Sequence, residues 1–175
     1  EDQVWLVSIL NLLSNKPILY VCNVDESSAK SGNEHVNSLK EAVKDENAEV
    51  LIISAAIEAD IAQLDSFEDR KVFLSDIGLE QSGVEQLIRK SYSLLNLITY
   101  FTAGEKEVRA WTIHENDTAP QAAGVIHTDF EKGFIRAEVI AYNDYVEFGS
   151  EAKVKEAGKM RVEGKNYIVK DGDIM

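Results

Sequence analysis

Two short polar turns follow apolar stretches of the chain and carry groups that could recognise a ligand. Asn23 and Glu26 come after the stretch "ILYVC", and Ser54, Ala55 and Ala56 come after "VLII". An Asn amide both donates and accepts hydrogen bonds, whereas a carboxylate only accepts them. Together with backbone N–H groups of a tight Ser-Ala-Ala turn, they could read the edge of a purine. The alternative is that all five are ordinary turn residues, with Ser54 capping the helix that follows.

Other familiar catalytic and metal-binding patterns are missing from the sequence. It contains no GxxxxGK[ST], no GxGxxG after a strand, no HExxH and no CxxC. The histidines His35, His114 and His127 are scattered, and we predict no metal site. Cys22 lies in an apolar stretch, which predicts a buried reduced thiol rather than a nucleophile. We therefore predict no catalytic residue in this chain.

The chain is strongly acidic, with 31 Asp and Glu against 18 Lys and Arg and a formal net charge of −13. Such a surface repels phosphate, which argues against indiscriminate binding of nucleic acid. The exception is one dense basic cluster near the C-terminus: Lys153, Lys155, Lys159, Arg161 and Lys165. Glu156 and Glu163 lie among these residues, so the basic cluster is either a contact for RNA or a solvated face.

The first half of the chain has the pattern of an α/β layer. "ILYVCN" and "AEVLIIS" are short, apolar and rich in β-forming residues, which predicts fully buried parallel strands. The helical stretches "EHVNSLKEAVK" and "AAIEADIAQL" follow them in turn. Strands that alternate with helices over short connections indicate a parallel sheet, and ligands bind such sheets at the carboxyl ends of the strands. That edge is where both polar turns would meet.

Helices are also predicted before and after this layer. "VWLVSILNLL" is apolar on nearly all sides and predicts a buried helix. Asp65 with Glu68, and Ser82 with Glu85, both fit a capping box and predict two helix starts. The second of these helices has an apolar face formed by Val84, Leu87, Ile88, Tyr92 and Leu95.

From Leu97 onward the pattern changes to that of an α+β domain. "LITYFTA" and "EVRAWTIHE" predict a hairpin around "GEK", and "IRAEVIA" and "NYIVKDGDIM" predict further strands. We expect a loop over "APQAAGVIH", and a short helix capped by Thr128 with Glu131, just after His127. Trp111 and Phe130 are expected in the core rather than as stacking platforms.

Several long motifs resemble the YchF (EngD) family of Obg-related P-loop nucleotide hydrolases. They are "KPILYVCNVDE", "SAAIEADIAQLD", "YFTAGEKEVRAWTI", "APQAAGVIHTDFEKGFIRAEVI" and "AGKMRVEGKNYIVKDGDIM". The resemblance covers nearly all of residues 16–175. It implies that residues 1–77 are the C-terminal remnant of a G domain, with 1–14 as the end of an inserted helical hairpin. Residues 78–95 would be a connecting helix, and 96–175 a TGS domain of the β-grasp, ubiquitin-like type.

The resemblance also assigns roles to the two polar turns. Most GTPases have Asn-Lys-x-Asp at this strand end, where the Asp accepts the N–H donors of guanine. Here Val24 stands at the Lys position and Glu26 at the Asp position, and Asp25 receives no role. Glu is one methylene longer, and this Asn-x-x-Glu form is associated with ATP being accepted as well as, or better than, GTP. Ser54, Ala55 and Ala56 would form the second base-contacting loop.

In the resembled family, the P-loop and the Mg²⁺-binding segments would lie N-terminal to Glu1. ATP or GTP with Mg²⁺ is therefore expected as a cofactor of an intact parent, whereas this chain should neither bind nucleotide tightly nor hydrolyse it. A TGS domain implies contact with the ribosome or RNA. The basic cluster is the first choice for that contact, and the stretch from Ala119 to His127 is the second.

Two functional hypotheses follow from these observations. In the first, the chain is part of a nucleotide-driven switch that engages the ribosome. In the second, it is a stand-alone interaction module in which the α/β part is only a scaffold. Under both we expect a cytoplasmic protein without a membrane partner, because the sequence has no signal peptide, no membrane span and one cysteine.

Overall fold

The computed structural model describes residue 10 and residues 12–46, 48–104 and 107–175. The chain divides into two compact units, residues 1–95 and residues 96–175. Among the described residues, no helix is both long and apolar enough to cross a membrane. The assignment of these parts to a G-domain remnant, a connecting helix and a TGS domain remains a prediction.

The first unit is built on a pair of parallel strands. Strand β1 (Ile18–Asn23) pairs with strand β2 (Ala48–Ile53), and Asn23 lies opposite Ile53 at the end of the register. The helices of this unit are α1 (Glu34–Ala42), α2 (Ala55–Ala62), α3 (Phe67–Asp76) and α4 (Gly83–Leu94). The predicted strand–helix–strand–helix order and its parallel pairing are confirmed.

Two details of this unit differ from the prediction. Strand β1 is not fully buried, since Ile18 and Val21 are 41% and 44% exposed and Cys22 is only partly buried. The reason is that β1 pairs with a single strand, β2, in the described part of the chain, so much of its surface lacks a neighbour. The capping box predicted at Asp65 is also wrong by one residue, because the Ser66 hydroxyl accepts the Asp69 N–H at 3.0 Å and α3 begins at Phe67.

The core of the first unit lies between α2 and α3. Ile57, Ile61 and Leu74 are buried there, with further apolar side chains packed around them. Helix α4 packs against both strands, and its predicted Ser82–Glu85 capping box is confirmed. The helix predicted over residues 4–13 and the hairpin end assigned to residues 1–14 lie mostly outside the described residues, whose first regular element is a 3₁₀ turn at Leu13–Asn15.

The second unit is a five-stranded mixed sheet with the order β4-β3-β7-β5-β6. Strands β3 (Leu97–Ala103) and β4 (Val108–His114) form the predicted hairpin, in register from Leu97 opposite His114. The other strands are β5 (Ala137–Ala141), β6 (Arg161–Glu163) and β7 (Asp173–Ile174). Strand β7 lies between β3 and β5, parallel to β3 through Phe101 and Ile174 and antiparallel to β5.

The helices of the second unit are α5 (Ala119–Ile126), α6 (Thr128–Gly133), α7 (Tyr142–Phe148) and α8 (Glu151–Glu156). The core forms where β3 and β4 meet α5, and its buried members are Tyr100, Ile113, Ala119, Ala122 and Val169. The Tyr100 hydroxyl donates to the Ala122 carbonyl at 2.9 Å, which satisfies its polar group inside this core.

The loop predicted over residues 119–127 is wrong, because this stretch forms α5. Pro120 lies in the first turn of the helix, where proline is tolerated. The Gln121 Oε1 accepts the Thr118 N–H at 2.8 Å and the Thr118 hydroxyl at 2.7 Å, which fixes the helix start. Glycine is suited to position 124 because a Cβ there would lie only 2.7 Å from Glu131 Oε2, too close without a shift of that side chain.

Three further expectations for this unit need correction. His127, not Thr128, caps α6, since its Nδ1 accepts the Asp129 N–H at 3.2 Å and Thr128 is the first helical residue. Phe130 is 55% exposed and is therefore not a core residue, whereas Trp111 is partly buried against the core. Helices α7 and α8 and strand β6 were not predicted.

Candidate functional site

A hydrogen bond from Asn23 holds the two polar turns together at one edge of the parallel pair. Asn23 ends β1, and its Oδ1 accepts the backbone N–H of Ala55 at 3.0 Å. The next residue, Val24, donates its N–H to the Ile53 carbonyl at 2.8 Å, so the chain stays paired one residue beyond the strand. Among the described residues the Asn23 Nδ2 has no hydrogen-bond partner, and it remains a donor at this edge.

Ser54 carries a buried hydroxyl without a partner at the same edge. The residue is 3% exposed, and no other buried side-chain nitrogen or oxygen in the described part of the chain lacks a hydrogen bond. Ser54 precedes α2, yet its hydroxyl makes no capping bond, so the alternative of a simple side-chain cap is wrong. Leaving a buried hydroxyl unsatisfied costs about 1–3 kcal/mol.

Glu26 begins a single 3₁₀ turn, Glu26–Ser28, whose position Asp25 fixes. The Asp25 Oδ1 accepts the Ser28 N–H and the Ser27 hydroxyl, each at 2.8 Å. These bonds to Ser28 and Ser27 stabilise the carboxylate and lower the pKa of Asp25. Sequence reasoning gave Asp25 no role, and the structure shows that it caps the turn that carries the exposed Glu26.

Glu26 borders a cavity of about 440 Å³ that has both apolar and charged residues in its lining. The cavity is lined by Glu26, Ser27, Ala29, Lys30, Ile57, Asp60, Phe73, Ile77 and Leu79. Neither Asn23 nor Ser54 lines it, and no hydrogen bond joins Glu26 to the Asn23–Ala55 pair in the described part of the chain. The structure thus brings Asn23, Ser54 and Ala55 together and places Glu26 beside a separate recess.

No metal site is found in the part of the chain that the structure describes, where no three His, Cys, Asp or Glu side chains cluster suitably. The polar groups at the strand edge are amide, hydroxyl and backbone groups, which suit a neutral heterocycle better than a cation. This edge thus offers one amide donor, beside a buried hydroxyl and two short side chains at Ala55 and Ala56.

The basic cluster is partly neutralised by acidic neighbours. Lys159 Nζ lies 3.7 Å from Asp144 Oδ1, and Arg161 lies 3.3 Å from Glu163 Oε1 and 3.5 Å from Asp173 Oδ1. Arg161 is therefore not part of a purely solvated face, because β6 pairs with β5 and the Arg161 guanidinium contacts the buried Asp173 carboxylate. Among the described residues, the exposed members of the basic cluster without an ion pair are Lys153, Lys155 and Lys165.

Trp111 lies against a second recess, of about 610 Å³, beside β3, β4 and the start of α6. Its indole Nε1–H donates to Thr102 Oγ1 at 2.9 Å, and the Arg109 guanidinium stands 4.2 Å from its ring centre. Arg109 thus covers one face of the ring, and the exposed Phe130 lies at the rim of the recess.

Comparison with known proteins places this chain among a set of related sequences. Residues 97–175 match the family model YchF-GTPase_C, described as a protein of unknown function (DUF933). The chain is 54% identical over its whole length to the ribosome-binding ATPase YchF of Bacillus subtilis (strain 168) and covers 48% of that protein. It is 53% identical to the ribosome-binding ATPase YchF of Escherichia coli O157:H7, over 97% of the chain and 46% of the relative.

Solved structures show the same similarity. The Schizosaccharomyces pombe YchF GTPase matches with a TM-score of 0.86 and 35% identity, over 99% of this chain and 46% of that one. A GTP binding protein from Pyrococcus horikoshii OT3 matches with a TM-score of 0.61 and 20% identity, over 91% of this chain and 45% of that one, which shows a common fold alone. The chain thus spans about half the length of the relatives it matches.

Proposed function

The chain belongs to the YchF family, and from this premise we propose that it recognises a nucleotide base and contacts the ribosome within a larger nucleotide hydrolase. Its relatives are called ribosome-binding ATPase and GTPase. The observation that carries the proposal is the Asn23–Ala55 hydrogen bond, which holds the first polar turn against the second beside the unpartnered hydroxyl of Ser54. The protein would act in the cytoplasm, where ribosomes are.

In this proposal the base is read by Asn23, Val24 and Glu26 together with Ser54, Ala55 and Ala56. The Asn23 Nδ2 donates to a ring acceptor, and the turn of Ser54, Ala55 and Ala56 contacts the same base. Adenine presents an amino donor beside ring acceptors, and the Glu26 carboxylate accepts from that amino group once its side chain turns toward the base. Val24 supplies an apolar contact in place of a lysine.

The phosphates and Mg²⁺ of bound ATP or GTP would be held by segments outside these 175 residues. In P-loop enzymes, backbone N–H groups, a lysine and a Ser or Thr hydroxyl hold those groups, and the sequence has no GxxxxGK[ST]. This chain's own residues orient the base, and they leave the phosphoryl chemistry to the intact protein. The isolated chain is expected to be inactive as a hydrolase.

For the second unit we propose a TGS domain of the β-grasp type that carries the ribosome contact. The strand order β4-β3-β7-β5-β6 supports this proposal, because the first and last strands of the unit lie parallel at the centre of the sheet and α5 covers one face. Lys153, Lys155 and Lys165 are the proposed contacts to RNA, since their charges are exposed.

The second candidate is a stand-alone interaction module in which the first unit is only a scaffold. The absence of GxxxxGK[ST] from the sequence favours this candidate. Contacts to the base alone, without residues that bind the phosphates, would hold a nucleotide only weakly. The two candidates differ in whether mutation of the Asn23 edge changes nucleotide binding.

Binding titrations of ATP and GTP on the full-length protein would test the base assignment. Asn23→Ala should weaken both nucleotides by about 1–3 kcal/mol, by analogy with a base-edge contact, and Glu26→Asp should shift preference toward GTP. The matched control is Asn33→Ala, which removes the Asn that caps α1 by accepting the Val36 N–H at 3.1 Å. Unchanged affinities in both site variants would leave Asn23 and Glu26 as ordinary turn residues and favour the scaffold reading.

A further inference from the structure

The Glu58 side chain joins the helix that follows the second polar turn to the start of α4. Glu58 lies one turn into α2, and its backbone N–H donates to the Ser54 carbonyl at 3.0 Å. Its carboxylate reaches across to α4, where Oε1 accepts the Gly83 N–H at 2.6 Å and Oε2 accepts the Val84 N–H at 3.2 Å. One side chain thus holds two backbone groups of a helix 25 residues away in sequence.

These two bonds complete the cap of α4. The first N–H groups of a helix have no partner within it and need one from elsewhere. The Glu85 carboxylate accepts the Ser82 N–H at 3.2 Å, and the Ser82 hydroxyl accepts the Glu85 N–H at 3.1 Å. The Glu58 carboxylate accepts the N–H groups of the two residues between them, Gly83 and Val84. A carboxylate is also favoured at this end by the helix dipole. Glu58 is therefore committed to this position by both hydrogen bonding and charge.

The start of α4 lies tightly against the end of β2. A Cβ on Gly83 would stand 2.7 Å from Ile53 Cγ2 and 3.0 Å from Glu58 Oε1, so only glycine fits without a shift. Ile53 directly precedes Ser54 in the chain, and Ser54 and Gly83 are both buried. The second polar turn is thus held from behind by α4, with Glu58 as the link.

We propose that Glu58 is a positioning residue for base recognition: it holds Ser54 and Ala55 in place by fixing α2 against α4. This inference rests on the proposed function of the Asn23 edge and adds a residue that does not touch the base. Both carboxylate oxygens are needed to accept the Gly83 and Val84 N–H groups. In a Gln, the side-chain NH₂ would replace one of these acceptors and would face a backbone N–H, which is also a donor. An Asp is one methylene too short to reach both groups while α2 stays in place.

Amide hydrogen exchange and titration with adenosine, both followed by NMR on the full-length protein, would test the proposal. Glu58→Ala should speed exchange of the Ala55 and Gly83 amides at least tenfold and weaken adenosine binding at least fivefold. Glu58→Gln should change both quantities in the same direction but less, and Glu58→Asp should behave like Glu58→Ala. Glu68→Gln, on the first turn of α3, removes the same charge without touching this link and should change neither.

The control for a merely structural role is Ser66→Ala, which removes the cap of α3 and destabilises the same unit. If Ser66→Ala speeds Ala55 exchange and weakens adenosine as much as Glu58→Ala does, Glu58 is not a positioning residue. If Glu58→Ala does not fold, Glu58→Gln decides by the same two measurements. Faster exchange of the Ala55 amide in Glu58→Ala would support the structural link between α2 and α4. If Asn23→Ala at the same time leaves adenosine binding unchanged, the assignment of Asn23 as a base contact is wrong.

Discussion

At the scale of single residues, the second unit depends on a charged network around Asp173. This carboxylate is 2% exposed and accepts the Tyr167 hydroxyl at 2.7 Å and the Lys170 N–H at 2.9 Å. Arg161 lies 3.5 Å from it and donates to the Tyr167 hydroxyl at 3.1 Å. Because the Arg161 side chain is 39% exposed, solvent screens this ion pair, but losing Arg161 would still leave the buried Asp173 carboxylate with one partner fewer. Arg161 is therefore a structural residue.

This network predicts a loss of stability in alkali. Burial and the bond to Asp173 raise the pKa of Tyr167 to about 12 from 10.0. Because the unfolded chain loses the phenol proton first, the stabilising effect is complete below pH 10 and is lost as the pH rises toward 12. Urea unfolding between pH 9 and 12 should show this loss, and Tyr167→Phe should reduce it. The same loss in parent and variant would contradict the assignment. Tyr100 adds to it in both proteins, since burial raises its pKa to about 12 as well.

The sequence predicted the residues of the candidate site better than their surroundings. Asn23, Ser54 and Ala55 could be chosen because they follow two strands whose carboxyl ends share an edge. The unpartnered Ser54 hydroxyl and the ion pairs of Arg161 could not be predicted, because they depend on groups far away in the sequence. The capping role of Asp25 was missed although its hydrogen bonds are local. Asp is common in turns of every kind, so its presence in this turn did not indicate a particular role.

At the scale of elements, the junction between β2 and α4 sets the packing of the first unit. We predict that Gly83→Ala destabilises the chain by about 1–3 kcal/mol, because its Cβ would overlap Ile53, and that this outweighs a gain in helix propensity of about 1 kcal/mol. The matched control is Gly133→Ala in α6, where nothing lies within 4 Å of the new Cβ. This variant should be neutral or slightly stabilised.

Urea unfolding midpoints of the two glycine variants would check this prediction. Equal midpoints for Gly83→Ala and Gly133→Ala would contradict the prediction. They would mean that the Ile53 side chain can move away from the new Cβ at little cost in free energy.

The type of a secondary-structure element could be predicted where the pattern of apolar residues was clear. The prediction failed where tertiary packing stabilises an element against its local sequence preference. The parallel pair and the β3–β4 hairpin follow from short apolar strands and a tight turn. Helix α5 was missed because Pro120 and Gly124 are poor helix formers, yet burial of Ala119 and Ala122 under Tyr100 stabilises the helix. Strand β6 has three residues, too few for a pattern to show.

At the scale of the whole molecule, a net charge of −13 restricts how it could approach a polyanion. We predict that Lys153→Glu, Lys155→Glu and Lys165→Glu together weaken co-sedimentation with ribosomes several-fold. The salt dependence should also become shallower, because fewer counterions are released on binding. Arg161 and Lys159 are left unchanged because they pair with Asp173 and Asp144.

The control for this experiment has the same net charge but scattered substitutions. Lys40→Glu, Lys71→Glu and Lys132→Glu change three exposed lysines outside the basic cluster. If this variant loses ribosome association as fully as the first, only overall repulsion is being measured and the basic cluster is an ordinary solvated face.

The parallel pairing of Phe101 with Ile174 imposes an order on folding during synthesis. The β1–β2 pair can close soon after Ile53 leaves the ribosome, and the β3–β4 hairpin soon after His114. The centre of the second sheet stays open until Asp173 and Ile174 emerge, because β7 lies between β3 and β5. Pairings so distant in sequence form slowly, and open strand edges invite aggregation meanwhile. A nascent chain would thus carry a folded first unit and an incomplete second one until Ile174 has emerged.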